Sequence, residues 1–229
     1  MKFFALAAAF SGFLTVANAV ESRSPCDPIS KYSTEWFLAN TKPEYRFKSF
    51  DSTALFYTQG LSERARKFAR QARNKITIWD VWPCENYFIK STRQNPLACI
   101  MEDAKEEMAY FENMSRAFAM MAANVASVMH RDIENPPMST IWGRIELPVL
   151  QAASNPWGTV NYITAIDAED VHRRKIEWIR HYSGMLYDNA EAVIQKILHA
   201  REEEGVENLE KREEDACPLM SIRPEHPLW

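Results

Sequence analysis

Two polar residues of this chain stand among apolar ones. Ser115 falls on the apolar stripe of the helix-patterned run YFENMSRAFAMMA, and Glu146 falls inside the strand-like segment IWGRIELP. Burying such groups unpaired costs roughly 1–3 kcal/mol for a hydroxyl and more for a charge, so each needs a partner, and a binding cleft supplies one. A carboxylate held in such a cleft can stabilise positive charge as it develops, for example in an oxocarbenium-like transition state, and that chemistry needs no His or Cys nucleophile. On the residues alone, Ser115 can also return its hydroxyl to a carbonyl one turn back. Arg144 with Glu146 can equally be a surface ion pair.

The elements that must position these groups follow from periodicity. Leu61, Ala65, Phe68, Ala69 and Ala72 recur at helical spacing between two stretches rich in β-branched and aromatic residues, TALFYT and KITIWDVW. This predicts strand, helix, strand. Downstream the pattern predicts a helix over 102–122, on which Phe111, Met114, Ser115, Phe118 and Ala122 share a stripe, then strands over 125–130, 141–149 and 160–166. In the strand reading of IWGRIEL, Trp142, Arg144 and Glu146 point to one side and Ile141, Gly143, Ile145 and Leu147 to the other. Strands separated by helices imply an α/β fold, a small, mainly parallel sheet with flanking helices. Open sheets of this kind take ligands outside the carboxyl ends of their strands. A last helix is predicted over 185–200, before the charged run REEEGVENLEKREEDA.

Composition narrows the function classes. Lys2, the apolar run FFALAAAFSGFLTV and Ala17-Asn18-Ala19 read as a signal peptide over 1–19, which predicts a secreted, extracellular protein. Residues 20–200 then form the domain and 201–229 a charged tail. No later segment approaches the length of a spanning helix, so membrane insertion is not expected. The chain is 46% hydrophobic and 12% aromatic, enough for a core that does not depend on disulfides. A net charge of −4 with mixed signs disfavours nucleic acid. Neither G-x-G-x-x-G nor a P-loop occurs, and the five histidines form no H-E-x-x-H, so no metal is expected. The four cysteines, Cys26, Cys84, Cys99 and Cys217, suggest two bridges, with three connectivities open. Asn113-Met114-Ser115 is a glycosylation sequon on the same helix as the candidate site, a placement that argues against its use.

Phe111-Glu112-Asn113-Met114-Ser115-Arg116 with Phe118-Ala119, then Val128-Met129, then Gly143-Arg144-Ile145-Glu146 resemble, in order and spacing, the core of the ADP-ribosyl cyclase/NAD glycohydrolase family. A weaker similarity upstream covers Leu55-Phe56-Tyr57-Thr58 and Thr77-Ile78-Trp79-Asp80, so that residues 53–167 are spanned and the family's N-terminal helical portion is reduced. The resemblance implies NAD or NADP as substrate, with no further cofactor. It implies Glu146 as the catalytic carboxylate and Ser115 beside the anomeric carbon. Tyr57, Phe111 and Trp142 would line the nicotinamide and ribose pocket, Trp79 and Asp80 would lie at the family's acidic pair, and Arg116, Arg144 and Thr58 would contact pyrophosphate. Aromatic walls around a pyridinium ring contribute about 0.5–2 kcal/mol by cation–π contact.

Departures from the family pattern carry expectations of their own. Tyr57 and Phe111 stand where the family places tryptophan, which should weaken affinity. Trp79 replaces the first acidic residue, which points to net hydrolysis with minor cyclisation. The resemblance also implies Cys84 paired with Cys99, which would leave Cys26 with Cys217. Two other readings compete. One is a secreted binding protein that kept the fold without activity, its protein partner unknown. The other is a precursor cut at Lys211-Arg212 to release CPLMSIRPEHPLW.

Overall fold

A computed structural model describes residues 26–82, 96–152 and 158–180. The predicted signal peptide, the helix over 185–200, the charged tail with Lys211-Arg212, and both Cys84 and Cys217 lie outside the described residues.

The sheet is built on β3 (Ala122–His130), whose pattern AANVASVMH is buried at every position but Asn124. On one edge it pairs in parallel with β1 (Phe50–Asp51) and then, further along, with β2 (Leu55–Tyr57). On the other it pairs in parallel with β4 (Val160–Asp167), which carries an antiparallel edge strand β5 (Arg174–Ile179). A strand buried on both faces and both edges is mainly apolar, and β3 carries only Ser127 and His130 as buried polar side chains.

Helices cover the two faces. α1 (Thr34–Ala39), capped by the Ser33 hydroxyl, and α5 (Ala104–Met121) lie on the same side of the molecule, where Phe37 and Tyr110 meet edge to face. The Asp103 side chain accepts from the Lys105 and Glu106 amides and so starts α5. From there α5 lays Phe111, Met114 and Phe118 into a core with Phe56, Val128 and Ile163. On the opposite face α2 (Ser62–Ala72) and Leu61 just before it set Leu61, Ala65 and Ala69 against Leu55, Met129 and Ile166. This is the small, mainly parallel α/β sheet with flanking helices that the sequence predicts.

Two predicted strands are helical instead. In KITIWDVW only Ile76 bridges the sheet, opposite Ala54. Thr77 then starts the short α3 (Ile78–Val81), because Asp80 Oδ2 accepts from both the Thr77 amide and its hydroxyl at 2.7 Å. The T-x-x-D spacing of a capping box is the sequence signal for this helical turn. The segment IWGRIELP forms a π-helical turn (Trp142–Glu146) leading into α6 (Leu147–Gln151). Its apolar and polar residues alternate, yet Trp142, Ile145 and Glu146 also satisfy i, i+3, i+4, and five residues of alternation do not separate the two periods.

The cysteine pairing also differs. Cys26 bonds to Cys99, in place of Cys84–Cys99 and Cys26–Cys217. The Asp27 amide donates to the Pro96 carbonyl at 3.0 Å, which holds the start of the described chain against α4 (Ala98–Glu102), where Cys99 sits.

Candidate active site

A cavity of about 450 Å³ opens at the carboxyl end of β2, lined among others by Tyr57, Thr58, Ser115, Phe118, Trp142 and Glu146. Three parts of the fold supply these groups: Tyr57 ends β2 and Thr58 follows it, Ser115 and Phe118 face inward from α5, and Trp142 and Glu146 lie on the π-helical turn. π-Helical turns are rare and recur at functional sites because the extra residue per turn re-aims side chains.

Glu146 is buried, and burial pushes its carboxyl up to about 8 from the ordinary 4.5, while a hydrogen bond from the Ser115 side chain pulls it back. The site thus holds a carboxyl group poised near neutral pH, with a hydroxyl beside it. Tyr57 closes the neighbouring wall, and burial holds its phenol well above the usual tyrosine range.

Of the residues singled out in the sequence, the cavity therefore unites Tyr57, Thr58, Ser115, Trp142 and Glu146. Others stand outside its lining. Trp79 lies behind Tyr57 and donates its indole N–H to the Tyr57 hydroxyl. Phe111 is fully buried, with its ring 6.4 Å from that of Trp79 and edge-on to it, so Phe111 and Trp79 back the Tyr57 wall. Asp80 caps α3. Arg116 is half-buried on α5.

Arg144 points away, to Glu112 at 2.8 Å, for a reason internal to the turn. Glu146 follows Trp142 by four positions, a spacing that returns to one side in a strand and in a helix alike. The intermediate Arg144 shares that side only in a strand.

The cavity also uses residues that the sequence reading passed over, Gln59, Ile78, Thr140 and Ile141. Thr140 closes its loop by donating to the Pro137 carbonyl at 2.7 Å. Gly143 then packs against that loop so closely that a Cβ there would meet the Met138 carbonyl oxygen at 2.2 Å. The glycine before Glu146 is thus a packing requirement. On α5, the Asn113 side chain donates to the Tyr32 carbonyl at 3.0 Å, so the sequon amide is engaged in the fold. Among the described residues, no group of His, Cys, Asp and Glu side chains could hold a metal ion, and no helix is long and apolar enough to cross a membrane.

No protein-family model matches the sequence, and no curated protein does either. Among solved structures, the chain is similar to an Aplysia cyclase complexed with substrate NGD and product cGDPR, at 16% identity and a TM-score of 0.34, over 66% of this chain and 60% of that one. It is likewise similar to an ADP-ribosyl cyclase complexed with N1-cIDPR, at 17% identity and a TM-score of 0.36, over 79% and 70% of the two chains. A structure of CD38, described as bearing on its catalytic mechanism, matches at 18% identity and a TM-score of 0.36, over 84% and 81%. This chain therefore spans about 60% of the length of the first of these proteins. At such values the functional reading rests on the site itself.

Proposed function

We propose that the protein is a secreted glycohydrolase that cleaves the nicotinamide–ribose bond of NAD or NADP, releasing nicotinamide and ADP-ribose or its 2′-phosphorylated form. The observation that carries this reading is a buried Glu146 carboxyl, hydrogen-bonded by Ser115, in a cavity walled by Tyr57, Phe118 and Trp142. Nicotinamide departs with the bonding electron pair as a neutral molecule, so the step needs no general acid. Positive charge passes from the pyridinium to the ribose, where the ionised Glu146 stabilises it. Water then adds to the anomeric carbon and gives up a proton. Water and NAD thus become ADP-ribose, nicotinamide and one proton.

Glu146 must be ionised for this, and a group titrating near 8 is not fully so in the free protein at neutral pH. A cationic pyridinium arriving beside it favours the charged form, so substrate binding expels the proton. The Cys26–Cys99 bridge supports passage through an oxidising route. Trp79, packed behind Tyr57 with no carboxylate at its position, supports hydrolysis as the main outcome and cyclisation as a minor one. Incubation of the secreted protein with NAD, with products separated by chromatography, tests the reading. Nicotinamide with ADP-ribose is expected, and intact NAD would overturn it.

A further inference from the structure

A nearly buried acid, Glu177, lies on the far side of the cavity wall, and the proposed chemistry does not use it. His130 ends β3 with no exposure, and its Nε2 lies 3.0 Å from Oε2 of Glu177 on β5, whose side chain is only 10% exposed. The other Glu177 oxygen, Oε1, accepts the Trp142 indole N–H at 3.1 Å. On the opposite side of the imidazole, Nδ1 lies 3.4 Å from the Thr58 hydroxyl, which itself reaches the Met129 carbonyl at 3.3 Å. The His130 ring also stands edge-on to the Trp142 indole, with centroids 5.7 Å apart. One continuous path therefore runs Thr58, His130, Glu177, Trp142, and both of its ends line the cavity.

The chemistry of the path is directional. A carboxylate accepts at both oxygens and donates at neither, so Glu177 demands one N–H from His130 and one from Trp142. That demand places a proton on His130 Nε2, fixes the imidazole plane and locks the indole about its outer bond. Trp142 would otherwise be held in its plane by packing alone, against Phe56 at 5.7 Å.

We infer that His130 and Glu177 are a positioning pair that fixes the Trp142 wall of the cavity, and through it the fit of the substrate's ring. A pair needed only for stability would do equally well away from both cavity walls. The inference rests on the proposed glycohydrolase only for its kinetic readout.

The test labels the full secreted chain with 5-fluorotryptophan and assigns the Trp142 resonance by its loss in Trp142→Phe. Glu177→Gln, which can accept from only one of the two N–H groups, should move or split that resonance. It should also raise the KM for NAD about tenfold with a smaller change in kcat, because a wall that holds the ring acts on binding. His130→Gln places an amide N–H where Nε2 stands and should keep both the resonance and the KM near those of the parent. If Glu177→Gln does not fold, Glu177→Asp, too short to reach both partners, is read by the same criteria. An unmoved resonance, or a moved one with unchanged kinetics, would overturn the pair as a positioning device. A parent protein that does not cleave NAD counts against the proposed function, while the resonance still decides whether Glu177 sets Trp142.

Discussion

The Ser115 side chain, on the inward face of α5, hydrogen-bonds the Glu146 carboxyl on the facing π-helical turn. Ser115 and Glu146 are buried together, one bond apart, although thirty residues separate them in the chain. Each is the partner whose absence would make the other costly to bury.

Removing the hydroxyl should therefore act on the acid as well as on the stability of the fold. Its hydrogen bond favours the ionised form of Glu146. In Ser115→Ala, the pH midpoint for NAD cleavage should move upward, and stability should fall by roughly 1–3 kcal/mol because Glu146 stays buried without this partner. A midpoint that stays in place or falls would show that the hydroxyl does not act on Glu146.

Burial of Glu146 also makes a stability prediction. The unfolded chain releases this proton near the ordinary 4.5, and the folded chain near about 8. Between those values the folded state binds a proton that the unfolded state has lost, so the group's contribution to stability falls as pH rises through that window and then levels off. Glu146→Gln has no proton to lose. Its melting temperature relative to the parent should climb between pH 5 and 8 and stay constant above, as measured by thermal unfolding in a buffer series.

Gly143 tests the shape of the turn. A Cβ there would overlap the Met138 backbone, which cannot rotate out of the way. Gly143→Ala should cost roughly 1–3 kcal/mol of stability, as overpacking does, and should lower NAD turnover by displacing Trp142 and Glu146 on either side of it. A variant with parental stability would contradict the described packing.

The bridge between Cys26 and Cys99 closes a loop across 73 residues. Loss of a bridge over such a span typically removes about 2–4 kcal/mol, which Cys99→Ser should show in denaturant titration. Peptide mapping without reduction should recover Cys26 joined to Cys99, and recovery of Cys84 joined to Cys99 would contradict the structure.

Much of this architecture was legible from periodicity. The apolar run of β3, the α5 stripe and the spacing of Leu61, Ala65 and Ala69 on α2 each depend on many residues, so they read correctly. Where few residues carried the signal, it failed. IWGRIEL fits a period of two and a helical period alike, so Trp142 and Glu146 share one side in both, while Arg144 joins them only in a strand. KITIWDVW reads as a strand by composition until the Thr77–Asp80 capping box is given weight. His130 and Glu177 carried no local signal at all, because they meet through the antiparallel pairing of β4 with β5 and lie 47 residues apart.

The most direct test of the central claim is the pH dependence of kcat/KM for NAD cleavage by the parent and by Glu146→Gln. Because kcat/KM reports ionisation of the free enzyme, the parent should gain about tenfold per pH unit on the acid side and level off near pH 8. The Gln variant should be folded and lower by ~10²–10³ at its plateau, as for loss of one preorganised electrostatic group. A Gln variant that cleaves NAD at the parental rate, or a parent whose activity does not change across this range, would contradict the assignment of Glu146.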